Sequence, residues 1–158
     1  MSRAKSNASA PTLRDCPCGA AAPGRHSPGT LAASAKPPRF AECCGPYLSG
    51  AAVPRSALEL MRSRYSAYVM GDADYLRSTW DPSTCPADLA VDPDAPDAPR
   101  WLGLQIKKFE ALDDTHAIVE FVARFKAGAR GHRLHEVSRF TRGADGRWRY
   151  VDGDVSEY

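Results

Sequence analysis

Two tight pairs of cysteines constrain the N-terminal region more than any other feature of the sequence. The paired residues are Cys16, Cys18, Cys43 and Cys44. Zn²⁺ in structural sites takes four ligands in a tetrahedron, with Zn–S distances of about 2.3 Å. Gly19 and Gly45 directly follow the two pairs and permit sharp turns that would bring the thiols together. The pattern predicts one structural Zn²⁺ on these four cysteines, without an open position for catalysis, and the alternative is free thiols.

The choice between metal ligands and disulfides depends on the cellular compartment. Arg3 and Lys5 lie near the N-terminus, but no apolar stretch follows them, so the layout of a secretory signal peptide is missing. No apolar run approaches the roughly 20 residues that span a bilayer. We therefore expect a cytoplasmic protein that does not enter a membrane. The reducing conditions of the cytoplasm favour metal binding by the cysteines over disulfides. Cys85 stands alone and is predicted to be a small buried or half-buried residue and not a nucleophile.

The composition divides the chain into three regions. Residues 1–14 are rich in Ser, Ala, Lys and Arg, which is typical of a disordered tail. Residues 15–50 contain the cysteine pairs and, at 20–39, an insertion rich in Ala, Pro, Gly and Ser that predicts a flexible loop. Residues 51–158 predict the folded domain. The first two regions carry six Lys and Arg against two acidic residues, a net charge of +4 that would suit RNA or another acidic partner.

Helix signals open the folded domain. Ser56 and Glu59 form a capping box, and Gly71 provides a C-terminal cap. Apolar residues recur with helical spacing between these caps, at Leu58, Met61, Tyr65, Tyr68 and Val69. Asp72 can cap a second, short helix. Prolines and aspartates then predict a loop over residues 81–100.

The remaining sequence has the texture of β-structure. Segments rich in β-branched and aromatic residues cover 101–112, 116–126, 132–142 and 147–152. Gly-containing segments at 127–131 and 143–146 separate the last three as hairpin connections. Helices followed by a meander of strands predict an α+β fold, in which the helices pack on one face of a curved antiparallel sheet.

A pocket between helices and sheet would be the natural place for a ligand. Side chains alternate between the two faces of a strand. If the relevant faces of 116–126 and 132–142 both point inward, four polar residues form a cluster there, namely Glu120, Arg124, Glu136 and Ser138. Glu136 and Glu120 are the candidates for acid–base catalysis. The other predicted pocket residues are Arg62, Trp80 and Trp101.

A structural role is the alternative for Glu136. The carboxylate would then pair with Arg62, Arg64 or Arg124 and fix the first helix against the sheet. His135 should point to the opposite face from Glu136, so a His–Glu dyad at that position is not expected.

The order of short motifs resembles a known family. The pattern Cys16-x-Cys18-Gly19 followed by Phe40-x-x-Cys43-Cys44-Gly45 resembles the SEC-C zinc knuckle. The downstream sequence resembles the YchJ family, in stretches that include Met61-Arg62-Ser63-Arg64-Tyr65, Trp101-Leu102-Gly103-Leu104, Phe121-Val122-Ala123-Arg124-Phe125 and Trp148-x-Tyr150-Val151-Asp152-Gly153. This resemblance implies a middle domain with the nuclear-transport-factor-like, or cystatin-like, cone.

The spacing of the cysteine pairs departs from the usual knuckle. Here 24 residues intervene between the pairs, about three times the usual length, which costs only about 1 kcal/mol in loop closure. Structural zinc contributes roughly 10–16 kcal/mol, so the insertion should not prevent metal binding.

The resemblance to SEC-C motifs implies an interaction or adaptor role, with the knuckle docking on a protein or ribonucleoprotein partner. The alternative is a small-molecule binder or acid–base enzyme that uses the pocket of the cone. Cones of this kind often dimerise through the sheet, which makes a homodimer a further expectation.

Overall fold

The computed structural model describes residues 14–19 and 38–157. The predicted disordered tail, apart from Arg14, and residues 20–37 of the predicted insertion lie outside the described residues. No helix in the described ranges has both the length and the apolar character needed to cross a membrane.

Short helices come first in the described chain. A 3₁₀ turn at Phe40–Glu42 leads into α1 (Gly45–Ser49), which is followed by α2 (Ala57–Met70) and α3 (Ala73–Ser78). Residues between α3 and the first strand form an extended loop, and Trp80 in this loop makes a parallel bridge with Tyr150.

The helix caps predicted from the sequence are confirmed. The Ser56 side chain accepts a hydrogen bond from the Glu59 backbone N–H at 3.1 Å. Gly71 ends α2 with a φ of 77°, a left-handed conformation that favours glycine. The Asp72 carboxylate accepts from the Tyr75 backbone N–H at 3.0 Å and starts α3.

The sheet has four antiparallel strands in sequence order. They are β1 (Arg100–Ala111), β2 (His116–Ala127), β3 (Arg130–Arg142) and β4 (Trp148–Glu157). Register shifts between Trp101 and Gly103, between Ile106 and Lys108, and between Arg139 and Phe140 bend the strands. The predicted α+β fold with a curved antiparallel sheet is therefore confirmed.

One strand connection and one strand end differ from the sequence prediction. Ala127 pairs with Arg130, so the predicted loop at 127–131 is a tight turn in which Gly128 has a φ of 64°. Strand β4 continues to Glu157, beyond the predicted end at 152. The second half of β4 is mostly exposed, so its residues at 152–157 are largely charged or small. Such residues lack the apolar pattern by which a strand is predicted from sequence.

The inner face of the sheet packs against α2. Alternate residues of β2 are buried, namely Ala117, Val119, Phe121 and Ala123. Leu60, Met61 and Tyr65 of α2 belong to the same core, as do Cys16, Cys18, Phe40 and Cys44. The cysteine region therefore shares one hydrophobic core with the cone.

Candidate functional site

A short antiparallel bridge brings the first cysteine pair beside the segment that precedes the second. The Cys16 N–H donates to the Pro38 carbonyl at 2.8 Å, and the Phe40 N–H donates to the Arg14 carbonyl at 2.9 Å. Gly19, with a φ of 69°, donates from its N–H to the Cys16 carbonyl at 3.1 Å and turns the chain after the pair. The Cys16–Cys18 segment is thereby fixed as a tight loop.

The second pair lies between the 3₁₀ turn and α1. The Cys43 N–H donates to the Phe40 carbonyl at 3.1 Å, and the Cys44 carbonyl accepts from the Tyr47 N–H at 3.1 Å. A Cβ atom on Gly45 would lie 2.7 Å from the Phe40 carbonyl oxygen, so glycine is required for this close approach.

The four paired thiols converge on one point. The sulfur atoms of Cys16, Cys18, Cys43 and Cys44 all lie within 4.8 Å of one another. The Sγ–Sγ distance is 3.6 Å both from Cys16 to Cys18 and from Cys18 to Cys43. A tetrahedral zinc site with Zn–S bonds of about 2.3 Å has sulfur atoms about 3.8 Å apart. The described geometry therefore fits a metal ion bound by the four cysteine thiolates.

The proximity of these thiols makes their protonation unequal. The hydrogen bond with the Cys18 side chain lowers the pKa of Cys16. Hydrogen bonds with the Cys16 side chain raise the pKa of Cys43 and of Cys44. Four adjacent thiolates repel one another, whereas a divalent cation would stabilise all four, so the donor set suits a metal.

The cysteine cluster also contacts the cone. Cys16 Sγ lies 3.6 Å from the Ser66 hydroxyl on α2. The Tyr47 hydroxyl on α1 donates to the Glu59 carboxylate at 3.0 Å, and the same oxygen accepts from the Arg55 backbone N–H at 2.8 Å. Cys85 lies outside the cluster and is partly buried, which agrees with its predicted burial.

A cavity of about 300 Å³ lies between α2 and the inner face of the sheet. Its walls are formed by Met61, Arg64, Tyr65, Tyr68, Trp101, Phe121, Ala123, Leu134, Glu136, Ser138 and Tyr150. Most of these side chains are apolar or aromatic, and a few polar groups converge at one end, which is typical of small-molecule sites.

Aromatic rings make one side of the cavity. Trp101 meets the edge of Tyr65 at a centroid distance of 5.9 Å and lies 6.3 Å from Tyr68. Burial raises the pKa of Tyr65 to about 12 and also raises that of Tyr68, so both hydroxyls are neutral at physiological pH.

Glu136 and Ser138 make the polar end. Glu136 is 9% exposed, and its carboxylate accepts a hydrogen bond from the Tyr150 hydroxyl at 2.7 Å. Burial, followed by this hydrogen bond, raises the pKa of Tyr150. Ser138 is fully buried, and its hydroxyl has no hydrogen-bond partner among the described residues.

Gly153 makes room for the Glu136 side chain. Gly153 on β4 pairs with Ser138 on β3, and Glu136 lies two residues before Ser138. A Cβ atom at Gly153 would overlap the Glu136 carboxylate and lie 2.8 Å from its Cδ atom. The carboxylate therefore leans across β4 into the space directly opposite Ser138.

Arg64 closes the cavity from α2. It is 3% exposed, and its Nη1 atom donates to the Leu76 carbonyl at 2.9 Å and to the Thr79 hydroxyl at 2.8 Å. Its guanidinium lies 4.7 Å from the ring centroids of both Trp80 and Tyr150. Burial lowers the pKa of Arg64, while interactions with Tyr68, Tyr150 and Tyr75, and then with Glu136, oppose that shift.

The predicted four-residue polar cluster does not form. The register pairs Phe121 with Glu136 and Val119 with Ser138, so the odd-numbered residues of β2 face the cavity. Glu120 and Arg124 therefore lie on the outer face, away from Glu136 and Ser138. Apolar residues occupy both faces of β2, and alternation alone did not distinguish the faces.

One other expectation about charged residues is corrected, and a second is confirmed. Glu136 is not hydrogen bonded to an arginine among the described residues, and its partner is Tyr150. His135 does face away from Glu136 as predicted, but it pairs with Glu120 at 2.7 Å on the outer face.

Of the three remaining pocket candidates, one lines the cavity and two do not. Trp101 lines the cavity, whereas Trp80 lies behind Arg64. Arg62 is half-buried and does not line the cavity. The arginine that lines the cavity is Arg64. From the sequence, Arg64 was predicted as an ion-pair partner of Glu136 and not as a pocket residue.

Some cavity residues were not named as pocket residues from the sequence. Met61, Tyr65 and Tyr68 lay on the predicted apolar face of the first helix, and that spacing was the signal for their inward position. Tyr150 carried no such signal, because its contact with Glu136 depends on the pairing of β3 with β4.

Comparisons with known proteins agree with this architecture. Residues 56–153 match the family described as YchJ, middle NTF2-like domain. A UPF0225 protein of Ralstonia nicotianae is 55% identical over 157 residues, covering 94% of this chain and 96% of the relative. A UPF0225 protein of Bordetella pertussis is 46% identical, covering 96% of this chain and 98% of the relative.

Two solved structures share the fold. The solution structure of a SEC-C motif-containing protein from Rhodopseudomonas palustris superposes with a TM-score of 0.68 at 29% identity, covering 89% of this chain and 97% of that chain. The crystal structure of a SEC-C motif-containing protein from Psychrobacter arcticus has a TM-score of 0.67 at 30% identity, covering 93% and 85%. With the family match and these relatives, the chain belongs to the YchJ family and carries its NTF2-like middle domain.

Proposed function

We propose that this chain is a zinc-stabilised protein that binds a small organic molecule in the cavity of its cone. The observation that carries the proposal is the Ser138 hydroxyl, which is fully buried without a hydrogen-bond partner among the described residues and lines that cavity. An unsatisfied buried polar group costs about 1–3 kcal/mol. The hydroxyl is covered by its neighbours, so a ligand would displace neighbouring side chains, hydrogen bond to Ser138 and recover this energy.

Zinc is the proposed ion of the thiol cluster. Cys16, Cys18, Cys43 and Cys44 offer four soft donors, which zinc accepts in closed structural sites. Zinc bound there would have all four positions filled by protein, so its role would be to stabilise the fold. The cytoplasmic location predicted from the sequence belongs to this proposal, because a reducing compartment keeps the thiols available.

Metal content tests the zinc proposal. Protein purified without chelator should contain one zinc per chain, and thiol titration should find four protected cysteines that become reactive after denaturation. Cys85→Ser is the matched control, because Cys85 lies outside the cluster and its loss should leave the metal content unchanged. Absence of metal together with five freely reactive thiols would contradict the proposal.

A fragment screen tests the cavity proposal. Two-dimensional ¹H–¹⁵N NMR spectra of the zinc-loaded protein should show fragments that shift the Trp101 indole and Ser138 amide signals. Ala123 lines the cavity, so Ala123→Leu should fill the space and remove these shifts. Leu102→Ala is the control, since Leu102 is exposed and does not line the cavity. A library without any cavity binder would refute this function.

The docking role predicted for the knuckle stays a prediction. Cys16, Cys18 and Cys44 belong to the core of the cone, so the knuckle has a structural role whether or not its outer surface meets a partner. The expected homodimer and the general-base role of Glu136 also stay predictions. Loss of binding to an identified partner in a variant that keeps its zinc would support docking.

A further inference from the structure

Building on the proposed cavity function, we infer that the cavity selects a small, neutral, planar molecule that presents a hydrogen-bond donor beside an acceptor, as a primary amide does. The donor would meet the Glu136 carboxylate, and the acceptor would meet the Ser138 hydroxyl. The ring or flat body of the molecule would lie against the aromatic wall.

The size and walls of the cavity set the shape of this ligand. A cavity of about 300 Å³ holds on the order of ten non-hydrogen atoms, if each takes the roughly 30 Å³ that a water molecule occupies in the liquid. Tyr65, Tyr68 and Trp101 present ring surfaces to this space. Aromatic surfaces pack favourably against another ring in offset or edge-to-face arrangements. A single ring with one polar substituent fits both constraints.

The charges that line the cavity favour a neutral ligand. Arg64 brings a buried positive charge, and Glu136 brings a buried carboxylate whose charge acts on Arg64. The charges of Arg64 and Glu136 offset each other, so a charged ligand of either sign would bury a third charge that has no partner of its own. A neutral ligand avoids the desolvation cost of that third charge.

The hydrogen-bonding capacity at the polar end requires both a donor and an acceptor. Glu136 Oε2 accepts from Tyr150, while no described residue donates a hydrogen bond to Oε1. The Ser138 hydroxyl can donate to a ligand oxygen because it has no partner among the described residues. An ionised carboxylate accepts only, so the ligand must supply the proton for Glu136.

The two groups are close enough for one ligand substituent to reach both. Glu136 and Ser138 are two residues apart on β3, but the Glu136 side chain leans over Gly153, the residue paired with Ser138. Directly paired residues in an antiparallel sheet have Cα atoms only about 4.5–5.5 Å apart. The carboxylate is therefore brought beside the serine hydroxyl by the absence of a side chain at Gly153.

Three probes of matched size test this inference, namely benzamide, benzoate and benzylamine. They carry the same ring and differ mainly in charge. Titration of the zinc-loaded protein, followed by ¹H–¹⁵N NMR, should show benzamide shifting the Trp101 indole and the Ser138 amide. Benzoate and benzylamine should bind at least about tenfold more weakly, because each must bury a third charge in a cavity whose own two charges already offset each other.

Two serine variants separate recognition from folding. Ser138→Ala should weaken benzamide binding several-fold without lowering the melting temperature, because the lost hydroxyl has no partner among the described residues. Ser156→Ala is the control, since Ser156 is exposed on the outer face and its loss should leave binding unchanged.

The outcomes distinguish this inference from the function on which it rests. Preferential binding of benzoate or benzylamine at the cavity signals would overturn the neutral ligand class and leave cavity binding intact. No cavity shift with any of the three would also overturn the ligand class, while the fragment screen would decide separately whether the cavity binds another molecule.

Discussion

The thiol cluster and the cavity both contact α2, but they differ in how far their polar groups are satisfied. The four cysteines supply a complete ligand set, and one of them lies against Ser66 of α2. The cavity instead contains a buried hydroxyl at Ser138 without a described partner and a carboxylate at Glu136 with one described hydrogen bond. A site whose bonds are completed within the protein stabilises the fold, whereas one with unmatched groups can bind a ligand.

The largest effect should come from loss of a zinc ligand. Cys44→Ser should remove the metal and lower stability by several kcal/mol, because Cys44 is buried in the core shared with the cone. In a chain of this size the melting temperature should fall by on the order of 10 °C. Thermal unfolding measures the change, and Cys85→Ser should unfold close to the unchanged protein. Equal losses in the two variants would remove the distinction between the cluster and a lone cysteine.

The next effect should come from Arg64, which supports the cavity from α2. Arg64→Lys keeps the charge but loses the planar group between Trp80 and Tyr150, together with the geometry of two hydrogen bonds. We expect a loss of about 2–3 kcal/mol in the free energy of unfolding. Denaturant unfolding provides the measurement. Arg62→Lys, on the same helix but half-buried, should change stability by less than about 0.5 kcal/mol.

A smaller effect is expected at Gly153. Gly153→Ala should destabilise the protein by about 1–3 kcal/mol, because the new Cβ atom would displace the Glu136 carboxylate. Gly131→Ala is a matched control in the same sheet, since a Cβ atom there meets nothing within 4 Å. The double variant Gly153→Ala with Glu136→Ala should recover part of the loss. If Gly153→Ala were neutral in urea unfolding, the carboxylate would not depend on that space.

The smallest stability effect should separate two buried serines. The Ser63 hydroxyl is bonded to the Leu60 carbonyl at 2.8 Å and to the Tyr75 hydroxyl at 2.6 Å. Ser63→Ala should therefore lose about 1 kcal/mol. Ser138→Ala should lose nothing and can gain up to about 1 kcal/mol, because its hydroxyl lacks a described partner. Calorimetric unfolding of both variants makes the comparison, and a larger loss at Ser138 than at Ser63 would reverse it.

The thiol cluster was predictable from the sequence because its chemistry is local. Cys43 and Cys44 are adjacent, Cys16 and Cys18 are one residue apart, and a single metal ion accounts for both pairs. The helix caps at Ser56 and Gly71 were predictable for the same reason, since each depends on neighbours within one helical turn.

The cavity was less predictable because it depends on register. Glu120 and Glu136 looked equivalent along the chain, but a shift of one residue in strand pairing exchanges the two faces of a strand. The central helix added a second difficulty. Ser63, Arg64 and Ser66 are buried because α2 is covered by the thiol cluster, α3 and the sheet, which no helical apolar stripe indicates.

The most direct test of the contrast between these sites is ¹H–¹⁵N NMR of the zinc-loaded protein during titration with benzamide. We predict shifts concentrated at Trp101, Glu136 and Ser138, with the signals of residues 14–19 and 38–45 unchanged. Shifts centred on the thiol cluster would contradict the claim that the cluster is complete, and no shift at the cavity would contradict the claim that the cavity takes a small neutral amide.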